Sequence, residues 1–320
     1  MKTILSDRGD AGCRIDMVVC RHLAGDQATS RTRAQAWIEE GLVSVNGAPV
    51  TRASQRVAAG DRIAVALPAA APRRMMEAEQ MPLRVLYEDD VLIAIDKPAG
   101  AIVHPTFGHA TGTIMNALLW RAREWPGGRT PALVGRLDKD TTGVLLASKD
   151  PTMHGTLQRA TAAGAGVKDY LALVYGRVPA RGHIDLPLGP DPSDRRRTQA
   201  GIGAPSLTRF TRLARARVPQ TEVSLLRCSL GSGRRHQIRA HLAARGWPIV
   251  GDPVYGEPRW KNVLDAQVAS ALGEFPRQAL HAERLAFRHP VTGAPVIISS
   301  RMPDDLAALL ATLRIAIPGK

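Results

Sequence analysis

From residue 85 onward, apolar runs of strand length recur without the regular intervening helices that a doubly wound parallel sheet requires. Residues 85–87, 91–95, 144–147, 167–175, 221–228 and 280–287 read as strands. Helical spacing is confined to residues 114–119, the neighbourhood of 153–162 and a segment after Gly233. Strands outnumber helices, and two of them flank the acidic turn Glu88-Asp89-Asp90, as a hairpin would. The expected fold class is α+β, built on a mixed, mostly antiparallel sheet.

A smaller unit is expected in front of this sheet. Residues 30–41 read as one helix, with Ser30 as N-cap, Ala34, Trp37 and Ile38 on one face and Gly41 as the stop. Asn46-Gly47 between Val43-Ser44-Val45 and Ala48-Pro49-Val50 is the signature of a tight hairpin, and Gly60-Asp61 leads into a further alternating strand at 62–66. With the apolar positions turned inward, Arg31, Arg33, Arg52 and Arg56 remain for a basic surface. Residues 69–82 have no sustained period and read as a tether. The expected organisation is therefore a small α/β module at 1–68, a linker at 69–82 and a large domain at 83–320.

The 320 residues carry a formal net charge of +14, which points to a polyanionic partner. Only seven of the 43 cations are Lys, and arginine's planar fork suits bidentate phosphate contact and stacking, which favours nucleic acid. Cys13, Cys20 and Cys228 form no metal-like cluster and leave one cysteine over in any disulfide scheme, so a reducing, cytoplasmic setting is expected. The N-terminus has no long apolar run, and no stretch is long and apolar enough to span a bilayer.

Three stretches carry potential chemistry. Gly135-Arg136-Leu137-Asp138-Lys139-Asp140-Thr141-Thr142-Gly143 sets carboxylates beside cations between two apolar runs, although taken alone it reads as a turn before it reads as a reaction centre. Leu230-Gly231-Ser232-Gly233-Arg234-Arg235-His236-Gln237-Ile238-Arg239 places a Gly-rich turn before a cationic helix whose free N–H groups could hold an anion. His236 and His241 miss the spacing of a helical zinc pair, so no metal is expected there. Asp194-Arg195-Arg196-Arg197 is a cationic loop suited to phosphate or to solubility.

Taken in order, Asp96 to Gly100 with Val103-His104-Pro105, Gly135 to Gly143, Lys168 to Val174, Gly233 to His241, Gly251-Asp252-Pro253-Val254-Tyr255-Gly256 and Leu280-His281-Ala282 resemble the motif series of the RluA/RluD-type pseudouridine synthases. The segment from Arg14-Ile15-Asp16 to Gly60-Asp61-Arg62-Ile63 is similar to the small RNA-binding module of the ribosomal protein S-four type. The first resemblance implies isomerisation of uridine to pseudouridine in RNA on a catalytic domain of pseudouridine synthase type, with no cofactor and no metal. The second implies binding to structured RNA.

By residue, the resemblance implies that Asp138 is the catalytic carboxylate, acting on the ribose at C1′ or C2′. A carboxylate suits such a step, because cleaving a glycosidic bond develops positive charge on the sugar. Arg239 would pair with Asp138, Tyr170 would stack on the target base, and Arg136 would fill the gap left by a flipped uridine. Arg31, Arg33, Arg234 and His236 are expected RNA contacts. Gly135, Thr142, Ser232 and Arg235 depart from the family pattern, which usually has His, Ser, Thr and Thr at these positions. The expected substrate is large-subunit (23S) ribosomal RNA, with transfer RNA as the alternative target. A non-catalytic RNA-binding or ribosome-assembly factor is the alternative function. A glycosidase would need a second, opposed carboxylate, which Asp140 is placed too close to supply. A monomer is expected.

Overall fold

A computed structural model of the chain describes residues 1–23, 31–67, 76–105, 109–162, 165–218, 221–230 and 233–316. Ser30, the first half of the 69–82 tether, Gly231 and Ser232 lie outside the described residues. The chain divides into two compact units, Met1–Met75 and Met76–Lys320.

The small unit pairs β1 (Lys2–Leu5), β2 (Val43–Val45), β3 (Ala48–Pro49) and β4 (Arg62–Val65) in the order β1-β4-β2-β3 with helices α1 (Ile15–His22) and α2 (Arg31–Glu39). Ala34, Trp37 and Ile38 of α2 are buried with Ile15, Val18 and Val19 of α1, as the apolar spacing of both helices requires. Asn46 and Gly47 both adopt positive φ, at 51° and 84°, the backbone of a two-residue hairpin turn. Asp16 is fully buried between the helices and accepts from Arg14, Arg31 and Gln35. Burial alone would raise its pKa, but those hydrogen bonds prevail and hold the carboxyl well below the usual range.

The large unit begins with the hairpin of β5 (Val85–Glu88) and β6 (Leu92–Lys97), followed by α3 (Ile114–Arg121), β7 (Ala132–Leu133), β8 (Thr142–Ser148), α4 (Pro151–Ala160) and β9 (Val167–Tyr175). Next come β10 (Arg181–Asp185), β11 (Leu188–Pro190), β12 (Thr198–Ala200), β13 (Leu207–Val218) and β14 (Thr221–Leu230), with β11 and β12 paired in a separate two-stranded sheet between β10 and its partner β13. The chain closes with α5 (Gln237–Ala244), α6 (Ala266–Gly273), β15 (Leu280–Arg288), β16 (Pro295–Ser299) and α7 (Asp304–Thr312). Among the described residues a 10-stranded sheet runs β10-β13-β14-β9-β15-β8-β6-β5, with β16 on β15 and β7 on β8. β8 and β15 are its parallel pair and the remaining pairings are antiparallel, so the sheet is mixed and mostly antiparallel.

β8 is buried along its whole length because both of its faces are covered. Val144 and Leu146 pack toward Leu157 of α4, while Leu145 and Ala147 pack toward Ile114 and Leu118 of α3. A continuous apolar run, rather than an alternating one, is what such a strand needs. The parallel contact with β15 is made at its start, where His281 faces Thr142 and Ala282 faces Gly143. Gly143 has φ 110°, and a Cβ there would lie 2.2 Å from the Ala282 carbonyl oxygen. No side chain fits that position.

Replacing Gly143 with Ala is therefore expected to break the β8–β15 junction and cost about 4 kcal/mol or more. A fall in the thermal midpoint, followed by near-UV circular dichroism, measures this. An unchanged midpoint would contradict the close approach of the two strands.

Candidate active site

Asp138 sits on the turn between β7 and β8, closed by a hydrogen bond from Thr141 N to Asp138 O at 3.1 Å. Three buried side chains hold that turn by its backbone and hydroxyl groups. Lys97, at the end of β6, donates Nζ to the carbonyls of Lys139 at 2.6 Å and Pro98 at 2.8 Å. Arg277 Nη1 reaches Asp140 O at 3.3 Å while its other edge is forked onto Asp305 of α7 at 2.7 and 2.8 Å. Gln278 Nε2 donates to Thr141 Oγ1 at 3.1 Å. Lys97 is fully buried, and burial lowers its pKa to about 8 against the opposing pull of Asp140 and Asp138.

The parallel junction beside the turn is polar. Thr142 Oγ1 lies 2.9 Å from His281 Nδ1, and His281 Nε2 lies 3.3 Å from Ser300 O. Because a carbonyl can only accept, the proton sits on Nε2 and Nδ1 accepts from Thr142. Burial lowers the His281 pKa and keeps the ring neutral.

Helix α5 brings a guanidinium to Asp138 from the other side. Arg239 Nη1 donates to Asp138 Oδ2 at 2.8 Å, while its Nε and Nη2 fork onto the Asp252 carboxylate at 2.7 and 2.8 Å. Asp252 is buried, and its Oδ1 also accepts from the backbone N–H of Val254 and Tyr255 at 2.9 and 3.0 Å. Burial would raise the Asp252 pKa, but the hydrogen bonds and charge of Arg239 lower it overall. The Tyr255 ring lies beneath the guanidinium, with Arg239 Cζ 5.2 Å from its centroid. Gln237 fixes the start of α5 by donating to Leu207 O at 3.0 Å and Thr208 Oγ1 at 3.2 Å on β13.

These groups border a cleft of about 300 Å³ lined by apolar Val134, Leu280 and Leu285 together with Asp138, Tyr170 and Arg239. Asp138 keeps 24% of its side-chain surface open, against 4% for Arg239, so the carboxylate is the accessible end of the pair. Tyr170 is half-buried on β9, and burial, followed by the charge of Asp138, pushes its hydroxyl pKa well up. Lys168 projects into the same cleft two residues earlier on that strand, and burial lowers its pKa. Arg136 and Arg234 are exposed at the rim. His236, at φ 53°, places Nε2 3.8 Å from Asp138 Oδ1 and Nδ1 3.1 Å from Tyr255 Oη. Burial lowers its pKa, partly offset by Asp138.

Six of the residues marked in the sequence, Asp138, Tyr170, Arg239, Arg136, Arg234 and His236, thus line one cleft. Arg31 and Arg33 belong to the small unit, where Arg31 Nε bonds Asp16 at 3.1 Å and Arg33 is half-buried on α2. His241 is fully buried between Thr208 Oγ1 and Leu186 O, as a structural residue of α5. Among the described residues the one group with metal-like spacing is Asp7, Asp10 and His22 of the small unit, where Arg21 already pairs with Asp10 at 2.7 Å. Asp252, Tyr255 and Lys97 stood inside the quoted motifs but were given no role from sequence, although Asp252 stands in a Gly-Asp-Pro turn whose Asx geometry was readable.

Residues 91–244 match the family model described as RNA pseudouridylate synthase, and residues 13–63 match that of the S4 domain. A protein of Nitrosomonas europaea named ribosomal large subunit pseudouridine synthase D is 41% identical over 95% of this chain and 85% of its own length. This chain belongs to the RNA pseudouridylate synthase family. A protein of the same name from Pseudomonas aeruginosa is 37% identical over 89% of this chain and 88% of its own. Human RNA pseudouridylate synthase domain containing 4 shares the fold with a TM-score of 0.55 at 23% identity, covering 74% of this chain and 95% of that one. The chain is accordingly an RNA-binding enzyme that converts uridine to pseudouridine, on the α+β fold expected of it.

The Asp252 carboxylate gives this site a pH signature. Its pKa is depressed by folding, so its stabilisation is complete above the unfolded value of about 4 and disappears as pH falls through the folded value below that. The thermal midpoint of the native protein should decline on acidification below about pH 4, and Asp252→Asn should remove part of that decline. At neutral pH the same substitution should cost about 3–5 kcal/mol, since it leaves the Arg239 guanidinium buried without its forked partner. Equal acid sensitivity in both proteins would remove Asp252 from this role.

Proposed function

We propose that this synthase modifies uridines of large-subunit ribosomal RNA and that Asp138 is its catalytic carboxylate. The observation that carries the proposal is the Asp138–Arg239–Asp252 arrangement. A guanidinium anchored on a buried carboxylate presents its remaining N–H pair to a second, solvent-open carboxylate beside an apolar slot. The names of the Nitrosomonas and Pseudomonas relatives support the ribosomal substrate.

The isomerisation breaks the bond from C1′ to N1, turns the base, and joins C1′ to C5; the proton of C5 is released and N1 takes up a proton, so the product is an isomer. Asp138 acts either by adding to C1′ as the base departs or by removing the C2′ proton. Both routes need a carboxylate oxygen facing the ribose, and Arg239 leaves Oδ1 available for this by holding Oδ2. Tyr170, with its hydroxyl protonated at neutral pH, supplies an aromatic face for the uracil. A uridine must leave its stack to enter the cleft, and the exposed Arg136 at the rim is placed to occupy the gap. Arg234 and His236 border the same rim, and Arg31 and Arg33 extend the RNA contact to the small unit. The protein works as a monomer in the cytoplasm.

Asp138→Asn keeps the shape and removes the charge. Release of tritium from RNA labelled at uridine C5 should fall on the order of 10³-fold or more, while affinity for ribosomal RNA stays within about twofold. Undiminished release by the variant would end the assignment of Asp138. Tight RNA binding with no release by the native protein would favour a non-catalytic role instead.

A further inference from the structure

The loop joining β11 to β12 carries Arg195, Arg196 and Arg197, and its two ends are fixed differently. At its base, Thr198 offers both its N–H and its carbonyl to Tyr255 Oη, at 2.6 and 3.2 Å. Arg197 Cζ lies 5.0 Å from the centroid of the same ring, beside Asp191 at 3.7 Å. Tyr255 is also the residue that meets His236 and underlies Arg239. At its tip, the loop is held by Arg235 at the cleft rim, whose Nη1 and Nη2 donate to the carbonyls of Arg195 and Arg196 at 3.1 and 3.0 Å.

This clasp brings cations together without neutralising them. Arg235 uses its fork on two carbonyls and not on a carboxylate, so its charge adds to those of Arg195 and Arg234. Asp194 pairs with Arg196 at 2.8 Å, and Asp191 faces Arg197 at 3.7 Å, so the loop carries three arginines against two carboxylates. Arg195 is exposed with no side-chain partner among the described residues. Exposed like charges gathered in this way repel one another until a polyanion joins them. Asp191 and Asp194 brace the loop from within, accepting from the backbone N–H of Ser193, Asp194 and Arg196, and the clasp ties that braced loop to the cleft rim.

We propose that Arg235 is a positioning residue that holds the 194–197 loop beside the cleft, so that Arg195 and Arg196 take backbone phosphates of the RNA strand flanking the target uridine. The proposal rests on the reading of the cleft as the uridine site. Lys cannot reproduce a planar fork on two carbonyls, so it separates positioning from charge.

The test uses the full-length protein and in vitro transcribed large-subunit ribosomal RNA, with affinity measured between about 50 and 200 mM salt. Replacing Arg195 and Arg196 together with Ala should weaken binding about tenfold. It should also flatten the slope of log affinity against log salt by about 1.4, two single-strand phosphate contacts. Arg235→Ala and Arg235→Lys should both weaken binding, and neither should do so further once Arg195 and Arg196 are gone. Wild-type affinity in Arg235→Lys would make Arg235 a direct charge contact and overturn the proposal. An unchanged slope in the double variant would overturn it as well. The readout is binding, so it stands apart from tritium release: a protein that binds through the loop without turnover would sink the proposed chemistry and leave this inference intact.

Discussion

The site depends on one guanidinium shared between two unlike carboxylates. Asp252 is buried and takes two donors from Arg239 and two from its own turn, so its charge is matched in place. Asp138 takes a single donor and remains open to the cleft. Neither charge of the Arg239–Asp252 pair could be buried alone, since an isolated buried ion costs far more than its partner's contacts return. The anchoring edge therefore fixes the plane of the guanidinium, and the free N–H pair points where α5 aims it. Lysine, with a point charge and a flexible stem, could not serve both carboxylates at once.

The turn bearing Asp138 is restrained without drawing on its carboxylate. Lys97, Arg277 and Gln278 all address main-chain carbonyls or the Thr141 hydroxyl, Lys97 from the end of β6 and the adjacent Arg277 and Gln278 from the segment that leads into β15. Groups placed behind the Asp138 turn in this way tie it down while leaving the carboxylate's second oxygen without a hydrogen bond. The depressed pKa of Lys97 is the cost of burying that anchor. The His281–Thr142 contact then locks the turn's exit into the parallel junction, at the one point where Gly143 allows β8 and β15 to approach.

Much of this was legible in the sequence, for identifiable reasons. Periodicity located β8, β9, β14 and β15, and the Asn46-Gly47 turn, because their side-chain patterns are local. It gave no sign of β13, where Arg209, Thr211, Arg215 and Arg217 face solvent and alternate only weakly with apolar positions. Asp138, Tyr170 and Arg239 came through motif order and not through periodicity, since no local rule brings three distant segments to one cleft. Arg235 was readable only as an added charge, because its role lies in two backbone carbonyls 40 and 39 positions away. Gly135 was a departure whose meaning needed coordinates: a Cβ there would meet nothing within 4 Å, so the position is a space at the cleft lip and not a point of strain.

The ties that build the cleft span long stretches of chain. Arg239 reaches back 101 positions to Asp138, Gln278 reaches back 137 to Thr141, and His281 reaches back 139 to Thr142. Contacts of that kind close large loops and form late, after the local hairpins and helices are in place. On a translating ribosome, Asp138 and Tyr170 emerge well before the segments that tie the cleft together. A nascent chain ending short of residue 277 already carries Asp138 and Tyr170, yet it lacks the Arg277, Gln278 and His281 ties that set the Asp138 turn. The Asp138 turn is in this way left without its full set of ties until the start of β15 has been made.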